Sequence, residues 1–309
     1  MIKTGSTQTQ ILDQNGAVRG AFSLSVHTKV LALYDGAGNR AAVAGSPNLE
    51  LITITGSGNS VSVGDPEILR AGETADLQPL PGGNGSRFCV LAADRSLDCW
   101  ESGGAGASNW DIIPGLAVPS DWASACTLGS MKGLGAAGGH ALVLTAVGQL
   151  CHGAIDAATT ASLVTDLGDG GTFQDLTCAV DTNSGTAPVC MALQDGSSAF
   201  SDPQTAHILL WPDPAQAPSV AGTVTLGLGF KGDIAARMMD SNTACFAHAS
   251  SLDDKMREIC VNVTDGSVLS QTSADIPGCF GDYAAYVNDS QVAASCDAGI
   301  WILNRSSLN

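Results

Sequence analysis

The stretch that decides the fold is Phe88-Cys89-Val90-Leu91-Ala92-Ala93-Asp94-Arg95-Ser96-Leu97-Asp98-Cys99-Trp100-Glu101-Ser102-Gly103. It contains an apolar run, a polar turn and a second apolar run, a pattern typical of a β-hairpin. Adjacent antiparallel strands bring facing Cα atoms to about 4.5 to 5.5 Å, which a disulfide tolerates. The stretch therefore predicts a hairpin closed by a bond between its two cysteines.

Cysteine spacing extends this interpretation along the chain. The ten cysteines include four couples spaced 10, 12, 15 and 17 residues apart and a looser fifth couple, and they are Cys89 with Cys99, Cys178 with Cys190, Cys245 with Cys260, Cys279 with Cys296, and Cys126 with Cys151. The alternative is that these are reduced core residues, because free cysteine is among the most buried residue types.

A zinc site is not expected, because the close Cys-x2-4-Cys couples of structural zinc sites are absent. Catalytic zinc sites use clustered histidines, whereas the five histidines here are scattered along the sequence, as His27, His140, His152, His207 and His248. The sequence predicts no metal and no cofactor.

The hairpin pattern repeats. The segment His140–Gly153 aligns with Phe88–Gly103 without a gap and places Cys151 under Cys99, with Ala141 in the slot of the first cysteine. Looser copies end at three later cysteines, so the anchors are 52, 39, 70 and 36 residues apart, namely Cys99, Cys151, Cys190, Cys260 and Cys296. Their mean, about 49, is the size of one blade of a β-propeller.

At this point the residues indicate a family. The segments Cys89–Leu91 and Asp98–Gly103 resemble the repeat of regulator-of-chromosome-condensation-like propellers, particularly bacterial ones in which two cysteines flank a hairpin and the second precedes Trp-Gly. The resemblance implies a ring of small antiparallel sheets. The chain departs from the pattern at Glu101, where glycine is usual. Nucleotide-exchange activity, known in some family members, has no matching residues here.

The predicted fold class is all-β, a propeller-like array of short antiparallel sheets, because no segment sustains a helical apolar period over three turns. Residues 1–80 carry a net charge of −2 and no cysteine, whereas residues 81–309 carry −15. We therefore predict an N-terminal β module or docking region at 1–80, a linker at 77–86, and a disulfide-rich propeller-like domain at 81–309. The alternative is that residues 1–80 supply the first blades of a single ring.

Charge and hydropathy exclude several function classes. The chain of 309 residues has 13 Lys plus Arg against 30 Asp plus Glu, and its net charge of −17 argues against a nucleic-acid partner. No apolar run of about eighteen residues is present, so no membrane-spanning helix is expected. Hydrophobic residues make up 44%, which is not a composition of disorder.

The search for catalytic motifs predicts no catalytic residue. The sequence has no Gly-x-Ser-x-Gly elbow, P-loop, His-Glu-x-x-His or dinucleotide fingerprint. Asp253, Asp254 and the many single aspartates lack calcium-ligand spacing and are interpreted as turn formers. Tryptophans are expected to pack in the core rather than line a carbohydrate surface, and they are Trp100, Trp110, Trp122, Trp211 and Trp301.

Two observations then have to be reconciled. The polar start Met1–Gln10 has no apolar stretch of a secretory signal, which predicts synthesis in a cytoplasm, whereas disulfides need an oxidising environment. Virus particles meet both conditions, because they assemble inside a host and act outside it.

The leading prediction is a non-enzymatic virion structural protein of a bacteriophage, in capsid decoration, a tail or a fibre, as part of an oligomeric assembly. Its expected partners are other virion proteins or a cell-surface receptor. The alternatives are an extracellular or surface propeller that binds a protein or glycan, and a hydrolase on a propeller scaffold.

Overall fold

The structure is a computed structural model of the chain. It describes residues 2–4, 9–12, 18–22, 29–34, 40–45, 47–57, 60–80, 87–104, 109–113, 124–155, 161–168, 171–181, 184–196, 202–228, 233–250, 252–279, 283–296 and 299–308. These residues form antiparallel β-strands and a 3-10 turn at Arg305–Ser307. The all-β, propeller-like fold class is confirmed. The chain divides into two compact units, 1–124 with 154–161, and 125–153 with 162–309.

In its described part, the first unit contains three sheets of consecutive strands. The first sheet is β1 (Ile2–Thr4), β2 (Thr9–Leu12) and β3 (Val18–Phe22); the second is β4 (Lys29–Tyr34), β5 (Arg40–Gly45), β6 (Asn48–Ser57), β7 (Ser60–Val63) and β8 (Glu67–Ala71); the third is β9 (Thr74–Pro79), β10 (Arg87–Ala92), β11 (Leu97–Ser102) and β12 (Trp110–Ile112). Buried side chains of the second and third sheets pack together, among them Leu49, Leu51, Leu77, Phe88 and Trp100.

The described part of the second unit contains four sheets, which we call blades 1 to 4. Blade 1 is β13 (Met131–Ala137), β14 (His140–Thr145), β15 (Gln149–Ala154) and β16 (Ser162–Asp166); blade 2 is β17 (Phe173–Asp181), β18 (Thr186–Gln194), β19 (Pro203–Leu210) and β20 (Ser219–Leu228); blade 3 is β21 (Ile234–Met238), β22 (Thr243–Ser250), β23 (Lys255–Asn262) and β24 (Val268–Asp275); blade 4 is β25 (Tyr283–Asn288), β26 (Gln291–Cys296) and β27 (Gly299–Asn304).

Packing between the blades is propeller-like. The first strand of each blade contacts the first strand of the next, so β13 lies against β17, β17 against β21, and β21 against β25. A buried apolar cluster fills each interface between blades, with Phe173 and Trp211 in the first, Phe246 and Ile259 in the second, and Met256 in the third. The middle strands are covered on both faces, and their sequences are therefore nearly continuous apolar runs.

Turn chemistry explains where the quoted hairpin reverses. Asp94 accepts a hydrogen bond from the backbone N–H of Ser96 at 3.0 Å, and Arg95 between them has a φ of 73°. A short polar side chain that bonds the backbone two residues on is a common turn device. The hairpin places Phe88 and Trp100 opposite each other, as the apolar pattern predicts.

The two clearest repeat copies occupy equivalent strands. The segment Phe88–Gly103 supplies β10 and β11, and His140–Gly153 supplies β14 and most of β15, which are in both cases the second and third strands of a four-stranded sheet. The structure therefore supports a propeller-type repeat, the coarse content of the family resemblance.

The structure explains the uneven spacing of the anchor cysteines along the chain. The third strands begin at residues 97, 149, 203, 255 and 299, so their intervals are 52, 54, 52 and 44 residues. Cys99, Cys151 and Cys260 lie on third strands, whereas Cys190 and Cys296 lie on second strands. The cysteines change strand between blades while the blade period stays nearly constant.

The two compact units do not meet at residue 80, where the sequence predicts a boundary. Residue 80 falls between β9 and β10, which pair in one sheet, and Leu77 of the predicted linker lies within β9. Residues 81–86 lie outside the described part. A docking role for residues 1–80 stays a prediction.

Candidate functional site

Disulfides fix the blades internally. Cys89 faces Cys99, Cys178 faces Cys190, and Cys245 faces Cys260 across adjacent strands, with Cα separations of 4.0, 3.9 and 4.1 Å, and Cys126 bonds to Cys151 with a Cα separation of 6.0 Å. Cys279 is also disulfide-bonded, while the side chain of its predicted partner Cys296 lies outside the described part. Each of the four pairs lies within a single compact unit.

The histidines do not converge on one centre. His140 and His152 stack with ring centroids 5.6 Å apart, and Nε2 of His152 lies 2.8 Å from the carbonyl oxygen of Pro214. His207 bonds to Gln194 at 2.9 Å. Burial lowers the pKa of His152 and of His207. These histidines have structural partners, and His27 lies outside the described part.

Among the described histidines, His248 is the most deeply buried, and it has charged groups nearby. It lies in β22, faces Arg257 in β23 across the ladder, and is 2% exposed. Neither ring nitrogen has a hydrogen-bond partner among the described residues. Burial first, and the Arg257 charge second, lower its pKa to about 4, so the ring is neutral at ordinary pH.

The polar neighbours of His248 do not form a catalytic relay. Arg257 pairs closely with Asp253, and the hydroxyl of Ser250 donates to the carbonyl oxygen of Leu228. Among the residues that the structure describes, neither ring nitrogen of His248 is hydrogen-bonded, so the ring has no bond to Asp253 or to the hydroxyl of Ser250.

Some of the aspartates that the sequence interprets as turn formers have that role in the described part of the chain. Several accept a hydrogen bond from the backbone N–H two residues later, namely Asp94, Asp166, Asp213, Asp240 and Asp265. Asp254 accepts from the N–H of Gly278 at 3.3 Å. Their carboxylates stabilise loops, which agrees with the sequence-based interpretation.

A partly buried ion pair joins blades 3 and 4, with the side chain of Glu258 6% exposed and that of Arg305 22% exposed. Glu258 in β23 accepts two hydrogen bonds from the guanidinium of Arg305, at 2.6 Å from Nε and 2.9 Å from Nη2. The hydroxyl of Tyr286 in β25 donates to the same carboxylate at 3.0 Å. Burial, with Glu258 next to it, raises the pKa of Tyr286, so its proton stays in place. We call these three residues the Arg305 cluster.

Glu258 of the Arg305 cluster lies close to two cysteines, but the three residues do not offer a free metal site. Cys245, Glu258 and Cys260 place their ligand atoms within 4.8 Å of one another. However, the two sulfurs are bonded to each other, and Arg305 already neutralises the carboxylate. A cation there would have to displace a guanidinium, so the residues fit a structural clamp rather than a metal.

The outer strands are the distinctive surface of the second unit. Each described blade ends in a strand with exposed large apolar side chains, which are Leu163 on β16, Val220 and Leu228 on β20, Val268 and Leu269 on β24, and Trp301 on β27. We call the exposed edges of these four strands the outer-strand surface. In the first unit, Ile68 on β8 and Ile112 on β12 are exposed in the same way.

Few charges interrupt the outer-strand surface. β20 has ten residues and no charged side chain, and β24 has Asp275 alone, at its last position. Natural edge strands usually carry lysine, proline or inward-pointing charge that blocks pairing with another chain. Exposed edges without these devices are typical of surfaces that bind another protein.

The tryptophans divide between core and surface. Trp100, Trp110 and Trp211 are 7%, 3% and 0% exposed, as expected for packing residues. Trp301 is 38% exposed on β27, and Trp122 lies outside the described part. Trp301 is therefore the described tryptophan that is available for contact with a ligand.

No protein-family model matches the chain, and no curated protein matches it at a significant level. Among the described residues, no helix has the length and apolar character that crossing a bilayer requires.

The sequence pattern did not predict the outer-strand surface or the Arg305 cluster. The uncharged run Ser219–Leu228 is not a distinctive signal for the first, since several stretches, residues 122–155 among them, are longer and also lack a carboxylate. The second had no signal, because Glu258 and Arg305 are 47 residues apart.

Proposed function

We propose that the chain is a non-enzymatic structural protein of a virus particle, a decoration, tail or fibre component, which binds neighbouring proteins through its outer-strand surface. The observation that carries the proposal is the contrast within blades 2 and 3. Covered strands are held by disulfides and buried clusters, while the last strand exposes apolar side chains and few charges. A rigid support with open edges suits assembly rather than turnover.

Redox chemistry supports a place outside the reducing cytoplasm. Pairs of cysteines face each other on adjacent strands in both units, and such bonds persist in oxidising environments. A particle that leaves its host meets that condition. The acidic character of the chain, with a net charge of −17, supports solubility on an exposed shell.

The finer family assignment remains a proposal too. We propose that the blades are of the regulator-of-chromosome-condensation-like type, on the strength of Cys89–Leu91 and Asp98–Gly103, which lie in the paired strands β10 and β11 and at the end of β11. Nucleotide exchange is not part of the proposal.

The alternative is a free extracellular propeller that binds a protein or glycan. Trp301 supports it, because an exposed aromatic ring next to apolar neighbours is a usual glycan-stacking surface. The third candidate, a hydrolase, predicts turnover of ester, glycoside or phosphate substrates that one Asp or His substitution abolishes.

The test uses the full-length protein from infected cultures. After density-gradient sedimentation, the protein is expected to travel with particles, and alkylation followed by mass spectrometry is expected to find its cysteines paired as in the structure. Recovery only in the particle-free medium would favour the extracellular alternative. Ten free thiols in the particle-bound protein would remove the redox argument.

A further inference from the structure

We propose that the junction between the end of β20 and blade 3 is a latch that opens in acid, when His248 takes up a proton. The latch residues lie on β20 and on the hairpin of β22 and β23, and they are Gly227, Leu228, Ser250, Asp253 and Arg257. The inference goes beyond the proposed function and does not depend on it.

Polar contacts close the latch. The hydroxyl of Ser250 donates a hydrogen bond to the carbonyl oxygen of Leu228. Nη1 of Arg257 donates to Asp253 at 3.0 Å, and Nη2 pairs with the same carboxylate. This ion pair packs against Gly227, where an added Cβ atom would overlap the guanidinium and lie 3.0 Å from Oδ2 of Asp253. The end of β20 is thus fastened to the hairpin of the next blade.

His248 lies on the face of blade 3 that the latch closes. In the ladder it stands between Ile234 on β21 and Arg257 on β23. Phe246, two residues earlier and therefore on the same face of β22, belongs to the apolar cluster between blades 2 and 3. The imidazole therefore lies at the interface with blade 2, and His248 is 2% exposed.

The closed latch has no place for a second proton on this ring. Neither nitrogen of His248 has a hydrogen-bond partner among the described residues, and a guanidinium faces it from the neighbouring strand. A buried imidazolium needs an acceptor or water, and a like charge beside it adds to the cost. Protonation is therefore favoured only where water reaches the ring, which requires the latch to open.

The charged residues on the surrounding elements do not offset that cost. On blade 3, Arg257 lowers the pKa of His248 and Asp253 raises it, but burial has the largest effect and lowers it. On blade 2, β20 carries no charge, Asp175 of β17 accepts from the N–H of Ile234, and Asp195 after β18 accepts from two side-chain amides.

The latch is the weakest boundary around His248. The Cys245–Cys260 disulfide ties β22 to β23, and the Arg305 cluster holds the opposite face of blade 3 to blade 4. On the blade 2 side, the bond from Gln271 to Thr225 is exposed, so water can replace it. Local opening occurs where few buried apolar contacts have to be broken, which favours this junction.

The experiment labels a single thiol in the full oxidised chain with a dipyridyl disulfide, which reacts at acid as well as neutral pH. Ser250→Cys places the thiol in the latch. Ala249→Cys, the matched control, places it on the opposite face of β22, in the cluster towards blade 4. Ser250 and Ala249 are 2% and 1% exposed. Each labelling rate is divided by that of the same variant in urea at the same pH.

The expected rates follow from the titration of His248. Its pKa is 6.5 in water and about 4 in the folded chain, so the opening constant is expected to rise about twentyfold from pH 7 to pH 5. Labelling of Ser250→Cys is expected to rise by that factor and to exceed labelling of Ala249→Cys at least about tenfold. Adding His248→Phe to Ser250→Cys is expected to remove the rise.

Three results would overturn the inference: no rise between pH 7 and pH 5, a rise that survives His248→Phe, or equal rates at the two thiols, which would mean opening of the whole unit. Thermal melting of each variant at pH 7 identifies one that is misfolded. A protein that sediments with particles but lacks the acid response overturns the latch alone, whereas an acid response in a protein absent from particles leaves the latch and overturns the proposed function.

Discussion

The first and last strands of one blade differ strongly in burial, and the sequence of the blade does not indicate so large a difference. In blade 2, six of the nine residues of β17 are buried and the other three are half-buried, whereas Leu226 alone among the ten residues of β20 is buried. β17 packs against the first strands of two neighbouring blades, and β20 ends its sheet. Stability therefore resides in the covered strands, and the outer strand is left available for binding.

The strands also differ in how closely a neighbouring strand approaches their backbone. At Gly133 in β13, an added Cβ atom would overlap the backbone of Leu176 in β17, and at Gly135 it would lie 2.6 Å from the sulfur of Cys178. Gly222 in β20 has open space around it. The first strands of blades 1 and 2 are thus packed backbone to backbone, which the outer strand is not.

The largest expected effect is at the Arg305 cluster. Arg305→Ala leaves the carboxylate of Glu258, whose side chain is 6% exposed, buried without its counter-ion. We expect a loss of about 3 to 5 kcal/mol in the free energy of unfolding, measured by urea titration.

The matched control for Arg305→Ala lies at the outer strand. Lys255 pairs with Asp275 of β24, and both side chains are well exposed, so Lys255→Ala is expected to cost about 0.5 kcal/mol or less. Equal losses in the two variants would contradict the contrast between covered and outer positions.

A pH titration tests the covered second strand of blade 3. Since the pKa of His248 falls from 6.5 to about 4 on folding, the unfolded chain binds a proton below pH 6.5 that the folded chain does not. Stability contributed by His248 is therefore present above pH 6.5 and is lost as the pH falls towards 4, by about 3 kcal/mol in total.

The comparison variant for that titration is His248→Phe, which keeps an aromatic ring without a proton site. It is expected to have a flatter decline of the free energy of unfolding between pH 6.5 and 4. Some slope should remain, because burial lowers the pKa of His152 and His207 in the same direction. An unchanged slope would mean that His248 is not buried as neutral imidazole.

A pair of glycine substitutions compares the two kinds of strand directly. Gly133→Ala is expected to lower the free energy of unfolding by about 1 to 3 kcal/mol, because the backbone of β17 has to move. Gly222→Ala, in β20, is expected to be neutral or slightly stabilising. Thermal and urea denaturation measure both. A larger loss at Gly222 than at Gly133 would reverse the assignment of inner and outer strands.

The smallest expected effect is on the outer strand itself. Leu269 in β24 is 54% exposed, so Leu269→Ser is expected to change the free energy of unfolding by less than about 0.5 kcal/mol. Urea denaturation of the dilute protein is the measurement. A loss above about 2 kcal/mol would show that another part of the molecule covers β24.

Much of the fold follows from local sequence. The Cys89–Cys99 hairpin was predicted because its two cysteines are ten residues apart and the polar turn between them contains Asp94 and Ser96. The copy at His140–Gly153 was predicted from the same pattern. The spacing of cysteine anchors was a poor measure of the blade period, since the cysteine moves from a third strand at Cys151 to a second strand at Cys190.

The candidate surface was harder to predict than the fold. Leu163 and Val220 belong to apolar runs like those of the core, yet both are 48% exposed. Whether such a strand is covered depends on its position in the sheet. The amino-acid types in the strand do not indicate that position.

The sequence by itself predicted the hairpin strands, their turns and the disulfides across them, because each depends on residues within about one blade length of each other. The tertiary structure alone decided which strand of a blade is covered, which glycines meet a neighbouring backbone, and that Arg305 neutralises Glu258. Those features depend on packing between blades, where residues far apart in the chain exclude water from the same space.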